Sequence, residues 1–443
     1  MLRPAPARPS SLPAFSRQQR PGDRPVLGAG VELAAITLMV VAHIAHVSGI
    51  LDVVSPAVTQ IAFVVQYLMF ALYGYVALMR GQWKIVAVAL AFVAYLIWQA
   101  YHFQTISGQA MNVNAALTFG TLLMAVPLFQ TRLPLGTVLR IVLFCAIGYL
   151  LLYIALAPLI MSGAVETRIT LTDDGTRGVR ALLSGQFAAF VLFAGIVLTR
   201  RSAWQGLLLI AIAGYAIFIA QSRVFQAVLA VTGAAAIIGT IFPFTRRPIT
   251  IVLAIAFLTI AAANLWGYVD PSWNPYQVMA QDASGQARYI EYGDALQAIR
   301  SHYLTGIGIP PSQEGLELYV RPRRPFFPSD LGPAGIFFQF GLIGTVLFLV
   351  ASVGCILSLP SPAIRPSPLS FALHYTALHA ALYGFFAPVL FGGSGTLFAA
   401  FTFALWMKGG YFRVSRAGFV ARPSEIDPNA YGADIGRAAP GRS

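Results

Sequence analysis

Residues 203–267 read AWQGLLLIAIAGYAIFIAQSRVFQAVLAVTGAAAIIGTIFPFTRRPITIVLAIAFLTIAAANLWG. Three apolar runs, near 203–220, 223–243 and 248–267, are broken only around Gln221-Ser222-Arg223 and around Arg246-Arg247. Each run approaches the ~20 residues that a helix needs to cross the hydrocarbon core of a bilayer. Barrel strands would alternate over roughly 10 residues instead. Helices and closed barrels are the structures that satisfy their backbone groups in lipid, so this stretch decides for a helical bundle.

The same pattern extends in both directions. Further runs fall near 27–50, 56–79, 84–101, 112–129, 135–160, 180–199, 331–357, 369–390 and 395–412, so the expected fold is an all-α polytopic membrane protein with about twelve transmembrane helices. Composition agrees: 57% of the 443 residues are hydrophobic and 10% charged, with a mean hydropathy of +0.71. A soluble domain is about one quarter charged.

A formal charge of +13 could point to nucleic acid, but its distribution excludes that reading. With the N-terminus inside, the short inner loops hold Arg80, Lys84, Arg132, Arg200, Arg201, Arg246 and Arg247 and are almost purely basic. This is the positive-inside bias of membrane topology. Trp83, Trp98, Trp204, Trp266 and Trp406 fall near span ends, where interfacial anchors belong. Cys145 and Cys355 lie inside spans and form no disulfide framework or metal signature.

The chain therefore divides into a cytoplasmic tail (1–25, rich in Pro, Arg and Ser), spans one to nine (26–267), a large outer loop (268–330), spans ten to twelve (331–412) and a second cytoplasmic tail (413–443). Both tails are expected to be disordered. A smaller outer loop, ETRITLTDDGTRG, alternates at Ile169 and Leu171 before Asp174-Gly175, which predicts a hairpin.

The large loop gathers most of the outer charge, including Asp270, Arg288, Glu291, Arg300, Arg321, Arg323, Arg324 and Asp330. Within it, Tyr289, Tyr292, Leu296 and Ile299 read as one stripe of an amphipathic helix resting on the membrane surface, with Arg288, Glu291 and Arg300 off that stripe. Gly306-x-Gly308 lacks a Walker pattern and is followed by Pro310-Pro311, so a phosphate cradle is the weaker reading. Arg223 opens a span at a very short turn. It either snorkels to the interface or presents its planar fork to a phosphate ester. His43 and His46 share a face of the first span without a third ligand, which favours a polar face turned into the bundle over a metal. Asp173-Asp174 reads as turn chemistry rather than a cation site. Arg321, Arg323 and Arg324 followed by Asp330 at the membrane boundary would suit transfer from a lipid diphosphate, arginines steadying the leaving group and the carboxylate taking a proton.

Three features resemble the O-antigen ligase and Wzy-type polysaccharide polymerase superfamily of bacterial inner-membrane proteins. They are Ser222-Arg223 opening a span, the run from Arg288 through Tyr289, Ala295 and Ile299 to Gly306-x-Gly308, and Asp330-Leu331-Gly332 leading to Phe340-Gly341-Leu342-Ile343-Gly344. The resemblance implies a GT-C-like, metal-independent glycosyltransferase with no cofactor. It would take glycan from undecaprenyl pyrophosphate at the periplasmic face of the bilayer. The resemblance implies Arg223 and Arg288 as the arginines that grip the diphosphate; the candidate site adds Asp330 as a catalytic residue and Arg180, Arg300, Arg321, Arg323 and Arg324 as substrate-binding residues. A flippase and a chain-length regulator are the implied protein partners. Ligases of this kind usually carry a histidine where this chain has Ser329-Asp330, which favours a polymerase. A ligase acting on lipid A-core, a multi-pass transporter and a non-catalytic assembly partner remain the alternatives.

Overall fold

The computed structural model describes residues 26–164, 170–173, 178–281, 283–320, 326–359, 367–387, 389–390 and 392–408. The expectations for both tails, for the Asp174-Gly175 turn and for Arg321, Arg323 and Arg324 lie outside the described residues.

Among the described residues fifteen helices follow one another: α1 (Ala29–Ser48), α2 (Pro56–Met79), α3 (Trp83–Ser107), α4 (Val113–Thr118), α5 (Ala125–Gln130), α6 (Leu135–Met161), α7 (Gly185–Leu198), α8 (Ala203–Ala220), α9 (Arg223–Ile241), α10 (Arg246–Leu265), α11 (Ala283–Ile299), α12 (Gln313–Val320), α13 (Pro333–Leu357), α14 (Pro368–Tyr383) and α15 (Thr396–Met407). A 3-10 turn over Phe119–Met124 joins α4 to α5 into one apolar segment. Strands β1 (Thr170–Asp173) and β2 (Gly178–Ala181) pair antiparallel, as the alternation around Leu171 predicted. Tyr153 donates to the Ala181 carbonyl at 2.8 Å, tying this hairpin to α6.

Among the described residues nine helical segments are long and apolar enough to cross a membrane, so the chain is a multi-pass membrane protein. The other three expected spans form shorter helices. The run near 180–199 is helical only over Gly185–Leu198, with β2 before it. Those near 369–390 and 395–412 are helical over Pro368–Tyr383 and Thr396–Met407. At 1.5 Å per residue, helices this short measure about 18–24 Å against a core of about 30 Å. They are apolar on every side because protein surrounds them, as a helix hydrophobic all round requires. Gly185 to Gly195 of α7 is almost wholly buried, and Phe187 packs on Phe398 of α15. Gly195 and Gly206 let α7 and α8 approach so closely that a Cβ on Gly195 would stand 2.8 Å from the Gly206 carbonyl. Small residues permit this contact where lipid offers no hydrophobic drive.

The two ends of the bundle differ. At one end Arg80 donates to Gln130 Oε1 (3.1 Å), Lys408 to the Thr131 carbonyl (2.9 Å) and the Arg132 amide to Glu32 Oε1 (2.7 Å). Arg80 and Arg132 are among the basic residues that the charge distribution places on one side of the bilayer. The large loop sits at the opposite end on a second core that includes Phe103, Tyr276, Tyr292, Ile307, Phe326 and Phe338.

Two glycine motifs join this loop to the bundle. Gly341 takes φ 62°, ψ −160° inside α13 and breaks the helix there. The break frees the carbonyls of Phe338 and Gln339, which accept from the amides of Ile307 and Gly308, both at 2.9 Å. The Leu342 amide donates to the Tyr303 carbonyl at 2.8 Å, and that of Ile309 to the Gln99 carbonyl of α3 at 3.2 Å. His102 Nε2 stands 3.1 Å from both the Gly306 carbonyl and Thr305 Oγ1. The glycine turn at 306–308 is therefore a clasp on a broken helix. Its amides are spent on protein carbonyls, which removes the phosphate-cradle reading.

The helix predicted within the loop forms as α11, but its buried side is placed differently. Tyr292, Ala295 and Ile299 are fully buried against protein, whereas Tyr289 is 40% exposed. At about 100° per residue, Arg288 falls within about 40° of all three, and Tyr289 lies about 60° or more away. Arg288 and Glu291 thus belong to the inward side, contrary to the sequence expectation, and α11 turns that side to the 3-10 turn Pro328–Leu331 and to α13 rather than to lipid.

Candidate active site

Three chain segments meet at the loop end of the bundle. The first is α11, which carries Arg288 half-buried and Glu291 only 5% exposed. Arg288 Nε is shielded from solvent and has no hydrogen-bond acceptor among the described residues. The second is the 3-10 turn Pro328–Leu331, which carries Asp330 half-buried. The third is the loop before α11, where Tyr276 is buried.

Packing holds the turn in place. Gly332, at φ 59°, lies so close to the end of α14 that a Cβ would stand 2.1 Å from the Phe385 carbonyl oxygen. Gly335 allows the first turn of α13 to fold back over Pro328 in the same way. The Phe327 amide points to Glu291 Oε1 at 3.4 Å, and Gln313 of α12 donates to the Phe326 carbonyl at 2.6 Å.

Asn264, in the last turn of α10, organises the surroundings. Its Oδ1 accepts from the Ala334 amide at 2.8 Å, its Nδ2 donates to the Tyr276 hydroxyl at 3.3 Å, and its carbonyl accepts from the Tyr292 hydroxyl at 2.7 Å. The Ala334 amide belongs to the first turn of α13, which has no intrahelical acceptor of its own. Replacing Asn264 with alanine is expected to cost about 1–3 kcal/mol, the usual penalty for stranding buried polar groups. A lowered thermal unfolding temperature in detergent checks this, and an unchanged one refutes it.

The electrostatics follow from burial opposed by charge. Burial pushes the Asp330 carboxyl above the ordinary carboxylate range, against the pull of the Arg288 guanidinium and a hydrogen bond from Ser329. Burial likewise raises the Tyr276 phenol, opposed by its Asn264 bond and by Arg288, while Asp330 and Glu291 push it further up. Arg288, Asp330, Tyr276 and Glu291 thus share one electrostatic neighbourhood. A buried carboxyl with a raised pKa beside a guanidinium is a pattern common at functional sites.

A second approach comes from the bundle. Ser222 occupies the N-cap position of α9 but its side chain does not cap the helix. Phe225, two residues after Arg223, meets the ring of Tyr383 at the end of α14 edge-on, with centroids 5.7 Å apart. Arg223 is the next residue after Ser222 and is exposed. Gln221 just before it sits at φ 51°, a left-handed conformation that closes the two-residue turn.

The structure packs α11, which carries Arg288, against the turn that carries Asp330; the start of α9 and that turn both meet the end of α14, through Phe225 on Tyr383 and Gly332 on Phe385. Arg300 is exposed beyond the far end of α11, about 18 Å along the axis from Arg288 at helical rise. Arg180 lies on β2, and its side chain is outside the described residues, as are Arg321, Arg323 and Arg324. Sequence reasoning missed Asn264, Tyr276 and Tyr383 and did not assign Glu291 to the site. A polar residue near the end of an apolar span was the one available signal, and it applied to Asn264. His43 is buried in the edge-to-face range of Phe187 and His46 packs on Phe63. Among the described residues no three His, Cys, Asp or Glu side chains gather as metal ligands.

The model of the O-antigen ligase family matches residues 208–349, from α8 to the middle of α13. The matched segment contains Ser222, Arg223, Arg288, Asp330 and both halves of the glycine clasp, and it leaves Tyr383 outside. No curated protein and no solved structure matches the chain. Over those residues the chain is similar to the O-antigen ligase family.

Proposed function

We propose, on the premise that residues 208–349 carry the O-antigen ligase family's segment, that the protein is a polysaccharide polymerase. It transfers glycan repeat units from undecaprenyl diphosphate onto an acceptor glycan at the periplasmic face of the bacterial inner membrane, with both termini in the cytoplasm. The observation that carries this reading is the packing of α11, whose Arg288 Nε has no acceptor among the described residues, against the turn that carries the half-buried carboxyl of Asp330.

The chemistry is positioning and charge. Guanidinium forks suit paired hydrogen bonds to diphosphate oxygens, a role given to Arg288 and Arg223. An acceptor sugar hydroxyl attacks the anomeric carbon, its proton passes to the Asp330 carboxylate, and the diphosphate leaves with the bonding electron pair. Polymerase is preferred to ligase because Ser329-Asp330 stands where ligases of this superfamily usually carry a histidine. A flippase and a chain-length regulator are the partners such a role implies.

Purified protein given lipid-linked oligosaccharide should lengthen the lipid-linked glycan. Glycan moved to a different lipid would replace the polymerase with a ligase, and no transfer at all would refute the reading. The pH profile gives an independent check. Asp330 must be ionised to take a proton, so activity falls as pH drops through its pKa. That acid limb should lie above the ordinary carboxylate value of about 4. Asp330→Asn should remove most activity, and the limb with it; a limb that persists in the residual rate would exclude Asp330 as the base.

A further inference from the structure

We infer that Phe327 is the platform for the acceptor sugar: its exposed ring stacks on one face of the sugar and holds a sugar hydroxyl toward Asp330. The inference rests on the transfer reaction proposed above. It adds a residue for the glycan, where that reading named groups for the diphosphate and the proton.

Two neighbouring phenylalanines have opposite environments. Phe326 is fully buried and meets the ring of Phe338 at 5.2 Å and 63°. Phe327 is 42% exposed. At φ −116°, ψ 89° its backbone is close to extended, and successive side chains of an extended chain point to opposite sides. Burial of one ring in the loop core therefore turns the other outward. The backbone is pinned at both residues. Gln313 donates to the Phe326 carbonyl at 2.6 Å, and the Phe327 amide points to Glu291 Oε1 at 3.4 Å. The ring of Pro328 fixes its own φ, and a Cβ on Gly335 would stand 1.8 Å from the Pro328 carbonyl oxygen. An exposed ring on so constrained a backbone loses little freedom when a ligand settles on it.

Asp330 lies on the same side of this turn. Phe327 is the N-cap residue of the 3-10 turn Pro328–Leu331, and its carbonyl accepts from the Asp330 amide at 2.9 Å. Side chains three apart on a 3-10 turn eclipse each other. At a helix start the N-cap residue and the third residue also face one another. A ligand laid flat on the Phe327 ring thus has its edge toward the half-buried carboxyl.

The surroundings select a sugar as that ligand. An aromatic face carries partial negative charge, and the C–H bonds on one side of a sugar ring present partial positive charge to it. The hydroxyls at the rim of the sugar need polar partners. On α12 the exposed Gln313 donates to Glu317 Oε1 at 2.9 Å as well as to the Phe326 carbonyl, and Glu314 is exposed next to it. A carboxylate and a carboxamide beside the ring belong to a water-facing rim. Membrane anchoring is the competing role, but interfacial belts are built from Trp and Tyr, whose polar edges reach water. Phenylalanine has no such edge.

The test uses full-length purified protein in detergent. The probe is the free oligosaccharide released by mild acid from the lipid-linked repeat unit. Lacking both lipid and diphosphate, it engages a glycan site alone. Saturation-transfer NMR and calorimetric titration compare wild type with Phe327→Leu, Phe327→Tyr and Phe327→Trp. Leucine stays apolar, as an anchor requires, but removes the aromatic face. Phe327→Leu should weaken oligosaccharide binding roughly tenfold at an unchanged unfolding temperature. The tyrosine and tryptophan variants should bind within about threefold of wild type or more tightly. In liposomes with the lipid-linked donor, Phe327→Leu should raise KM by a similar factor and leave kcat within about threefold. Oligosaccharide binding by Phe327→Leu equal to wild type overturns this inference and leaves the transfer reading standing. So does a wild type that transfers glycan but binds no free oligosaccharide. If Phe327→Leu unfolds early, Phe327→Trp decides, and binding about tenfold weaker than wild type overturns the platform. A wild-type protein that transfers no glycan overturns the transfer reading and this inference together.

Discussion

Arg288→Ala reduces glycan transfer by a hundredfold or more at neutral pH, with normal protein level and an unfolding temperature close to wild type. Two losses combine. Removing a preorganised donor aimed at developing negative charge costs about 10²–10³ in rate, and the Nε of Arg288, shielded and without an acceptor among the described residues, is such a donor. Arg288 also opposes the burial that raises the Asp330 carboxyl. Without the guanidinium that carboxyl rises further, and less of it is ionised to accept a proton. Arg288→Lys restores the charge without the fork, so it should recover part of the rate and bring the acid limb back toward wild type. Steady-state kcat/KM with the lipid-linked donor measures both effects. Activity within about tenfold of wild type in Arg288→Ala would remove Arg288 from the mechanism.

Gly341→Ala is expected to prevent accumulation of folded protein, or to lower its unfolding temperature by more than any surface substitution. At φ 62°, ψ −160°, Gly341 occupies a conformation essentially reserved for glycine, and other residues forced there pay about 1–3 kcal/mol. The added Cβ would also stand 2.4 Å from the Gly306 amide nitrogen, so the clasp must open. Gly306→Ala meets the same barrier from the other side, with φ 72° and a Cβ 2.2 Å from the Gln339 carbonyl oxygen. Opening the clasp releases the freed carbonyls of α13 and the anchorage of the segment joining α11 to α12. Gly233→Ala on α9 is the control: nothing lies within 4 Å of its Cβ. In a helix that change is neutral or stabilising by up to about 1 kcal/mol. Thermal unfolding in detergent separates the cases, and a Gly341→Ala protein as stable as Gly233→Ala would refute the clasp as a structural requirement.

The helical bundle was legible because lipid leaves the backbone few choices. Among the described residues every expected span holds a helix and nine helical segments are long and apolar enough to cross, and Arg80 and Arg132, basic residues of the expected inner loops, gather at one end with Lys408. Span length was less legible. The core helices α7, α14 and α15 look like lipid-crossing segments in composition, because burial in protein and burial in lipid select the same apolar side chains. On α11 the pattern was misjudged for a different reason. Arg288 and Glu291 were set outside the buried stripe because they are charged, yet helical geometry puts Arg288 within it, and Glu291 is 5% exposed. Charge normally marks a solvated side, and α11 inverts that rule by turning these two residues inward.

By itself the amino-acid sequence determined the membrane architecture, the location of the large loop, and Arg288 and Asp330 as residues worth testing. Those conclusions depend on local properties: hydropathy over about 20 residues, charge beside a span, and glycines before a helix. Tertiary structure alone decided that Gly306-x-Gly308 and Gly341 are two halves of one backbone clasp. It also decided that Asn264 ties Tyr276, Tyr292 and the first turn of α13 into one buried network beside the turn that carries Asp330. The physical reason is separation along the chain. Ser222, Arg288, Asp330 and Tyr383 sit on different helices and turns, and hydrophobic periodicity reports which side of an element is buried, not which other element buries it.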